Sequence, residues 1–97
     1  MIVSDIVATV AKQFFISYSE LVGPRRQAQF TKARFAAAYV LHKRGMSLTK
    51  IGKHLGNRDH TTIMNAIDRA EYIMERDENY KLIINEMVNL KHTDLVH

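Results

Sequence analysis

The chain has 97 residues, 46% hydrophobic and 25% charged, enough for one domain with a real core and too few for a catalytic domain plus a separate binding module. Cysteine is absent, which excludes disulfides and thiolate metal sites, and no apolar run approaches the roughly 18–20 residues of a membrane span. The net charge of +4 conceals a segregation: residues 1–20 carry −1, residues 21–58 carry nine cations and no acid, and residues 59–97 carry −4, so the middle of the chain has the charge of a polyanion-facing surface.

One proline and four glycines leave helix-friendly sequence largely uninterrupted, and the expected fold is all-α, a compact domain of five or six helices. The first helix is predicted to start at Ser4 as N-cap, with Val7, Val10, Ala11 and Phe14 as its buried stripe. Ser17 and Glu20 have capping-box spacing for a single turn of helix. Gly23-Pro24 then breaks the chain before Arg25-Arg26-Gln27, which reads as a basic loop. A helix over residues 30–44 follows, apolar nearly all round at residues 35–41, and so the central one; its alanines let neighbours approach. Lys43 and Arg44 suit its negative end, and Gly45 stops it. Ser47 caps a short helix with Leu48, Ile51 and Leu55 on its inner face. After Gly56 and Asn57-Arg58, Asp59 caps a long helix to about residue 76, with Ile63, Ala66, Ile67, Ala70, Ile73 and Met74 inward. A last helix over residues 79–90 buries Ile83, Ile84, Met87 and Leu90. Residues 91–97 have no clear period and read as a frayed tail, so one domain occupies residues 1–97 with its core over 4–90.

Residues 47–69 have the outline of a helix-turn-helix: a short helix, a glycine-containing turn and a longer amphipathic helix. Gly52 disfavours a helix by about 1 kcal/mol relative to alanine, so a close crossing by the second helix is its better explanation. Gly56 supplies the left-handed residue that ends the first helix. In such motifs the N-terminal turn of the second helix meets base edges in the major groove. Here that turn is Asp59-His60-Thr61-Thr62. A threonine offers a methyl to thymine or a hydroxyl to phosphate, a histidine donates to purine N7 or guanine O6, and a carboxylate accepts from the cytosine amine. Each residue also has a local use: Asp59 as N-cap, the threonines as partners of nearby backbone, His60 as a solvated side chain. Arg25 and Arg26 after Gly-Pro suit insertion into a narrow A/T-rich minor groove.

The run Ile51-Gly52-Lys53-His54-Leu55-Gly56-Asn57-Arg58-Asp59-His60-Thr61-Thr62-Ile63 resembles the signature of the C-terminal DNA-binding domain of the bacterial replication-initiator family DnaA, and the resemblance extends over residues 4–90. It implies a helical domain that binds a DnaA box, a short asymmetric duplex site, with base contacts from Asp59, His60, Thr61 and Thr62 in the major groove and Arg25 in the minor groove. Phosphate contacts are expected from Arg26, Lys32, Arg34, Lys43, Thr49, Lys50, Arg58 and Asn65. The sequence departs from the family's pattern where Ala33-Arg34 replaces an Arg-Gln pair, Leu41 a lysine, Thr49 a proline and Asn65 a histidine. No Walker A motif is present, because Ser47 and His54 stand where its first glycine and its Ser/Thr belong. His54 and His60 lack zinc-ligand spacing, and no nucleophile–base pairing is apparent. Without a leader pattern, and with Met1 directly before the first helix, the expectation is a stand-alone cytoplasmic protein on the nucleoid, with a fragment of a full initiator as the alternative, not an enzyme, without cofactor, nucleotide or membrane partner. Its partner would be double-stranded DNA, with the full-length initiator as a competitor. A helical protein-interaction adaptor and a non-specific nucleic-acid binder are the alternatives.

Overall fold

In a computed structural model, residues 2–90 are described, and among them are six helices and no strand: α1 Val3–Gln13, α2 Tyr18–Val22, α3 Ala28–Lys43, α4 Leu48–His54, α5 His60–Met74 and α6 Glu78–Val88. None is long and apolar enough to cross a membrane. The tail expected over residues 91–97 lies outside the described residues.

Most boundaries follow from local chemistry. Ser17 and Glu20 form the reciprocal capping box: the Glu20 N–H donates to Ser17 Oγ at 3.1 Å and the Ser17 N–H to Glu20 Oε1 at 2.8 Å. Ser47 caps α4 through Lys50 N–H, and Asp77 caps α6 through Tyr80 N–H at 3.1 Å. Gly45 ends α3 with φ +98°, in the left-handed region where a Cβ is unfavourable. Ser4 is not the cap of α1. The cap is Ile2, two residues earlier, in extended conformation and with no side-chain cap bond. The apolar stripe explains the shift, since Val3 packs against the core and Ile6 joins Val7, Val10 and Ala11 among the buried residues. Likewise α3 begins at Ala28 rather than at residue 30, from Gln27 as an uncapped N-cap.

Helix α3 touches each of the other five helices. Ala33, Ala36, Ala37 and Ala38 are all buried in it, so the surrounding helices meet short side chains and can pack close to its axis. Its apolar run over residues 35–41 is buried except on one side, where Phe35 and Tyr39 are half-buried. Helix α6 reaches the core through Tyr80 as well as Ile84 and Met87, whereas Ile83 and Leu90 are half-buried. The Tyr80 ring lies 5.6 Å from that of Phe14, and its hydroxyl donates to the Lys32 carbonyl at 2.7 Å. Burial pushes the Tyr80 phenol above its usual range, with Asp77 adding to the effect, so it stays protonated and donating. Tyr80→Phe removes the bond and little packing. Thermal unfolding should register a loss of about 1 kcal/mol, or roughly 4–8 °C in midpoint for a domain of this size.

At the other end of α3, Arg44 does more than complement that helix's own negative pole. Its Nη1 lies within hydrogen-bond distance of the carbonyls of Met87, Val88 and Leu90, which lie at the end of α6 and lack partners within that helix. The end of α3 and the end of α6 are thereby joined.

Candidate nucleic-acid interface

The helix-turn-helix is α4, a turn over residues 55–59, and α5. A Cβ added at Gly52 would collide with the Arg58 carbonyl oxygen and lie 3.5 Å from Ile63 Cγ1. The sequence reading expected the second helix as the close neighbour; it is mainly the turn instead. The Arg58 N–H donates to the Gly52 carbonyl at 2.9 Å, which folds the turn back over α4. Gly56 is left-handed at φ +80°, as its position requires, and Asn57 is too, at φ +58°. Two consecutive left-handed residues reverse the chain sharply, and asparagine tolerates that region better than most side chains.

Asp59 caps α5 by accepting the Thr62 N–H at 2.8 Å. That backbone bond is the main reason its carboxyl is held below the usual carboxylate range, with the Thr62 side chain and nearby His60 contributing in the same direction. His60, Thr61, Thr62 and Asn65 are all exposed on the first two turns, while Ile63, Ala66 and Ile67 face the core. The helix therefore presents its chemistry outward at its N-terminal end. Thr49 and Lys50 are exposed on the first turn of α4, and Lys53 on its last.

Residues 24–27 of the basic loop are exposed, with the Arg25 guanidinium 5.7 Å from the Phe30 ring centroid. Two other arginines hold the loop from beneath. Arg34 is only 7% exposed. Its Nε donates to the Leu21 carbonyl at 2.7 Å, and its Nη2 to those of Gly23 at 2.9 Å and Arg25 at 3.0 Å. Arg58, half-buried, donates from Nη1 to the carbonyls of Val22 at 2.9 Å and Leu55, and from Nη2 to that of Gly23 at 2.6 Å. Desolvation, with repulsion from Arg58 second, lowers the Arg34 pKa to about 10, so the guanidinium is still charged at neutral pH. Burial lowers that of Arg58 as well.

These contacts correct the expectation that Arg34 contacts phosphate. It is an internal support: the Leu21 and Gly23 carbonyls lie at the open end of α2, which a five-residue helix cannot satisfy by itself, and the Arg25 carbonyl lies in the loop beyond. Arg58, also expected at phosphate, spends most of its donors the same way. Of the nine cations in residues 21–58, six are exposed: Arg25, Arg26, Lys32, Lys43, Lys50 and Lys53. They do not form one group. The Lys43 ammonium lies 5.5 Å from the Tyr39 ring centroid, and Tyr39 lines a shallow groove with Glu71, Met74, Glu75 and Lys81. Lys43 therefore sits on the side of α3 toward the acidic half of α5. By contrast, the loop and the start of α5 meet directly, because the residue before Asp59 is bonded to Val22 and Gly23. The supporting role of the two arginines was not visible in the sequence. The one local signal was Gly56 two residues before Arg58, an opening that a Cβ would fill against both the Val22 carbonyl and Arg58 Nη1.

Comparison with known proteins agrees with this geometry. Residues 3–70 match the family described as the bacterial dnaA protein helix-turn-helix. The chain is 40% identical over 90 residues to the chromosomal replication initiator protein DnaA of Bifidobacterium animalis subsp. lactis, covering 91% of the chain and 15% of that protein. It is 38% identical over 77 residues to the protein of the same name from Thermomicrobium roseum, covering 78% and 17%. For that of Aliarcobacter butzleri the figures are 36% over 86 residues, 88% and 20%. The chain thus spans a fifth or less of the length of these relatives. An all-helical domain with this turn, this exposed recognition-helix start and this match belongs to the bacterial DnaA helix-turn-helix family, whose motif is a DNA-binding one.

Proposed function

We propose that the chain binds duplex DNA sequence-specifically at a DnaA-box-like site, with the N-terminal end of α5 in the major groove and the loop over residues 23–27 at the minor groove. The observation that supports this most is the start of α5. His60, Thr61 and Thr62 are exposed on a capped helix end, beside a loop that presents Arg25 and Arg26. In this reading Asp59, His60, Thr61 and Thr62 read base edges, and Arg25 reads the width of an A/T-rich minor groove. Arg26, Lys32, Thr49, Lys50 and Asn65 meet phosphate, whereas Lys43, on the side of α3 toward Glu71 and Glu75, stands apart from them. Site occupancy would regulate replication initiation or transcription, in competition with a full initiator and without ATP hydrolysis by this domain.

Titration at about 150 mM salt against a DnaA box, a scrambled duplex and an RNA hairpin tests the reading. His60→Ala and Thr61→Ala should each cost about 1–3 kcal/mol on the box, relax one position of the site and leave the scrambled duplex nearly unaffected. With about four cations at the DNA (Arg25, Arg26, Lys32 and Lys50), log affinity should fall against log salt with a slope near −4. Equal losses on both duplexes would remove the base-reading role. Equal affinity for the RNA hairpin would favour non-specific nucleic-acid binding, and no binding to any of them would favour a protein-interaction adaptor.

A further inference from the structure

The two elements proposed to touch DNA belong to different parts of the chain, and Arg58 is the side chain that joins them. Its position is specific: it immediately precedes Asp59, the N-cap of α5, yet its guanidinium donates to Val22 and Gly23, at the entrance to the basic loop. Its third bond, to Leu55, ties the same group to the end of α4. Arg34 then holds the loop from α3, sharing the Gly23 carbonyl with Arg58 and reaching Arg25 itself. Space for this arrangement comes from two glycines. Without a side chain at Gly52, the Arg58 backbone settles onto α4, and without one at Gly56, the Val22 carbonyl and the Arg58 guanidinium come together.

We propose that Arg58 is a positioning residue for specificity: it fixes the separation between the base-reading turn of α5 and the loop that carries Arg25, so that both grooves are read in one register. Donor arithmetic favours this over a direct phosphate contact. A guanidinium has five N–H groups in a fixed fork. Three of those on Arg58 point at carbonyls, and both hydrogens of Nη1 are used. Lysine would keep the charge and lose the fork, so it separates the two roles. An ammonium cannot span Val22, Leu55 and Gly23 with the same planar geometry.

This inference rests on the proposed reading of α5 and the loop as the DNA-contacting elements, and its test has one arm without DNA. In the free protein, Arg58→Lys should keep the helical circular dichroism spectrum, shift the backbone amide resonances of Val22, Gly23, Arg25 and Arg26 and lower their order parameters toward the flexible range. Unchanged resonances and order parameters there would overturn the clasp whatever the DNA result. With DNA, affinity is compared for boxes whose flanking base pairs are A/T or G/C. Arg58→Lys should reduce the wild-type preference about fivefold or more, with the salt slope unchanged, and should add little to it once Arg25→Ala is present. Unchanged flank preference in Arg58→Lys, with a uniform loss for both flanks and a slope shallower by about one in Arg58→Gln, would make Arg58 a phosphate contact instead. Arg58→Gln, with one amide donor group and no charge, should affect flank preference and loop order in the same direction; a normal loop in that variant also overturns the proposal. If the wild type itself shows no flank preference, the minor-groove reading fails, and the free-protein measurement still decides the clasp.

Discussion

Arg34→Met should destabilise the domain by about 3 kcal/mol, a large share of the total for a chain of this size. Methionine fills a similar volume, so the loss isolates hydrogen bonding from packing. The substitution deletes three charge-assisted bonds and leaves the carbonyls of Leu21, Gly23 and Arg25 to find other donors beneath a folded loop. Relief of the desolvation that lowers the Arg34 pKa, and of its repulsion with Arg58, offsets part of the loss and keeps the figure below the sum of three full bonds. Urea unfolding followed by circular dichroism should show a lower midpoint at nearly unchanged slope. Stability within about 0.5 kcal/mol of wild type would mean that the loop holds its shape without Arg34.

The second large effect belongs to Gly52. In an isolated helix Gly→Ala would gain about 1 kcal/mol. Here the added methyl would collide with the Arg58 carbonyl oxygen, and the Arg58 carbonyl carbon would lie only 3.0 Å from it. A flexible side chain could swing aside, but this obstacle is backbone, and it is tethered twice, by the Arg58 N–H to Gly52 and by the guanidinium to Val22, Leu55 and Gly23. The turn must open for alanine to fit. Gly52→Ala should therefore lose about 3 kcal/mol, at the upper end of overpacking costs, together with binding to the specific duplex. Gly45→Ala is the control: nothing lies within 4 Å of its Cβ, and only its φ of +98° is strained, so about 1 kcal/mol is expected. Similar midpoints for the two variants in thermal unfolding would contradict the close approach at Gly52.

What could be read from the sequence was what depends on near neighbours. The Ser17–Glu20 box, the Ser47 and Asp59 caps and the stop at Gly45 each involve groups within a few residues, and each is in place. The stripe Ile63, Ala66, Ile67, Ala70 was legible because one helical period contains it. The misplaced start of α1 shows a local preference losing to the core: Ser4 is a good cap, yet Val3 and Ile6 gain more from joining the stripe. Tyr80 was missed as a core residue because its partners, Phe14 and Lys32, are far away in sequence. The arginines were misread for a related reason. A run of cations with no acid nearby looks unpaired, since sequence reasoning pairs charge with charge. Arg34, Arg44 and Arg58 instead bond to carbonyls that, Leu55 apart, lie 9 to 46 residues away and become neighbours only in the folded chain. The site residues on α5 and the loop were legible as residue types, and their adjacency was not.

The acidic half of α5 has a consequence for how the protein meets its target. Asp68, Glu71 and Glu75 lie about 14 to 24 Å along the helix axis from Asp59. Those distances exceed the screening length of about 8 Å at physiological salt, so in the bound state the acids oppose a polyanion only weakly. During approach they act differently. Arg69, Arg76 and Lys81 offset part of that acidity, and Glu75 is paired with Arg76. Among the described residues, however, the cations of the loop and α4 are paired with no acid, so the molecule experiences a torque in the field of a polyanion and turns that end forward before contact. More encounters then begin in a productive attitude, and the on-rate should fall as added salt shortens the reach of that torque.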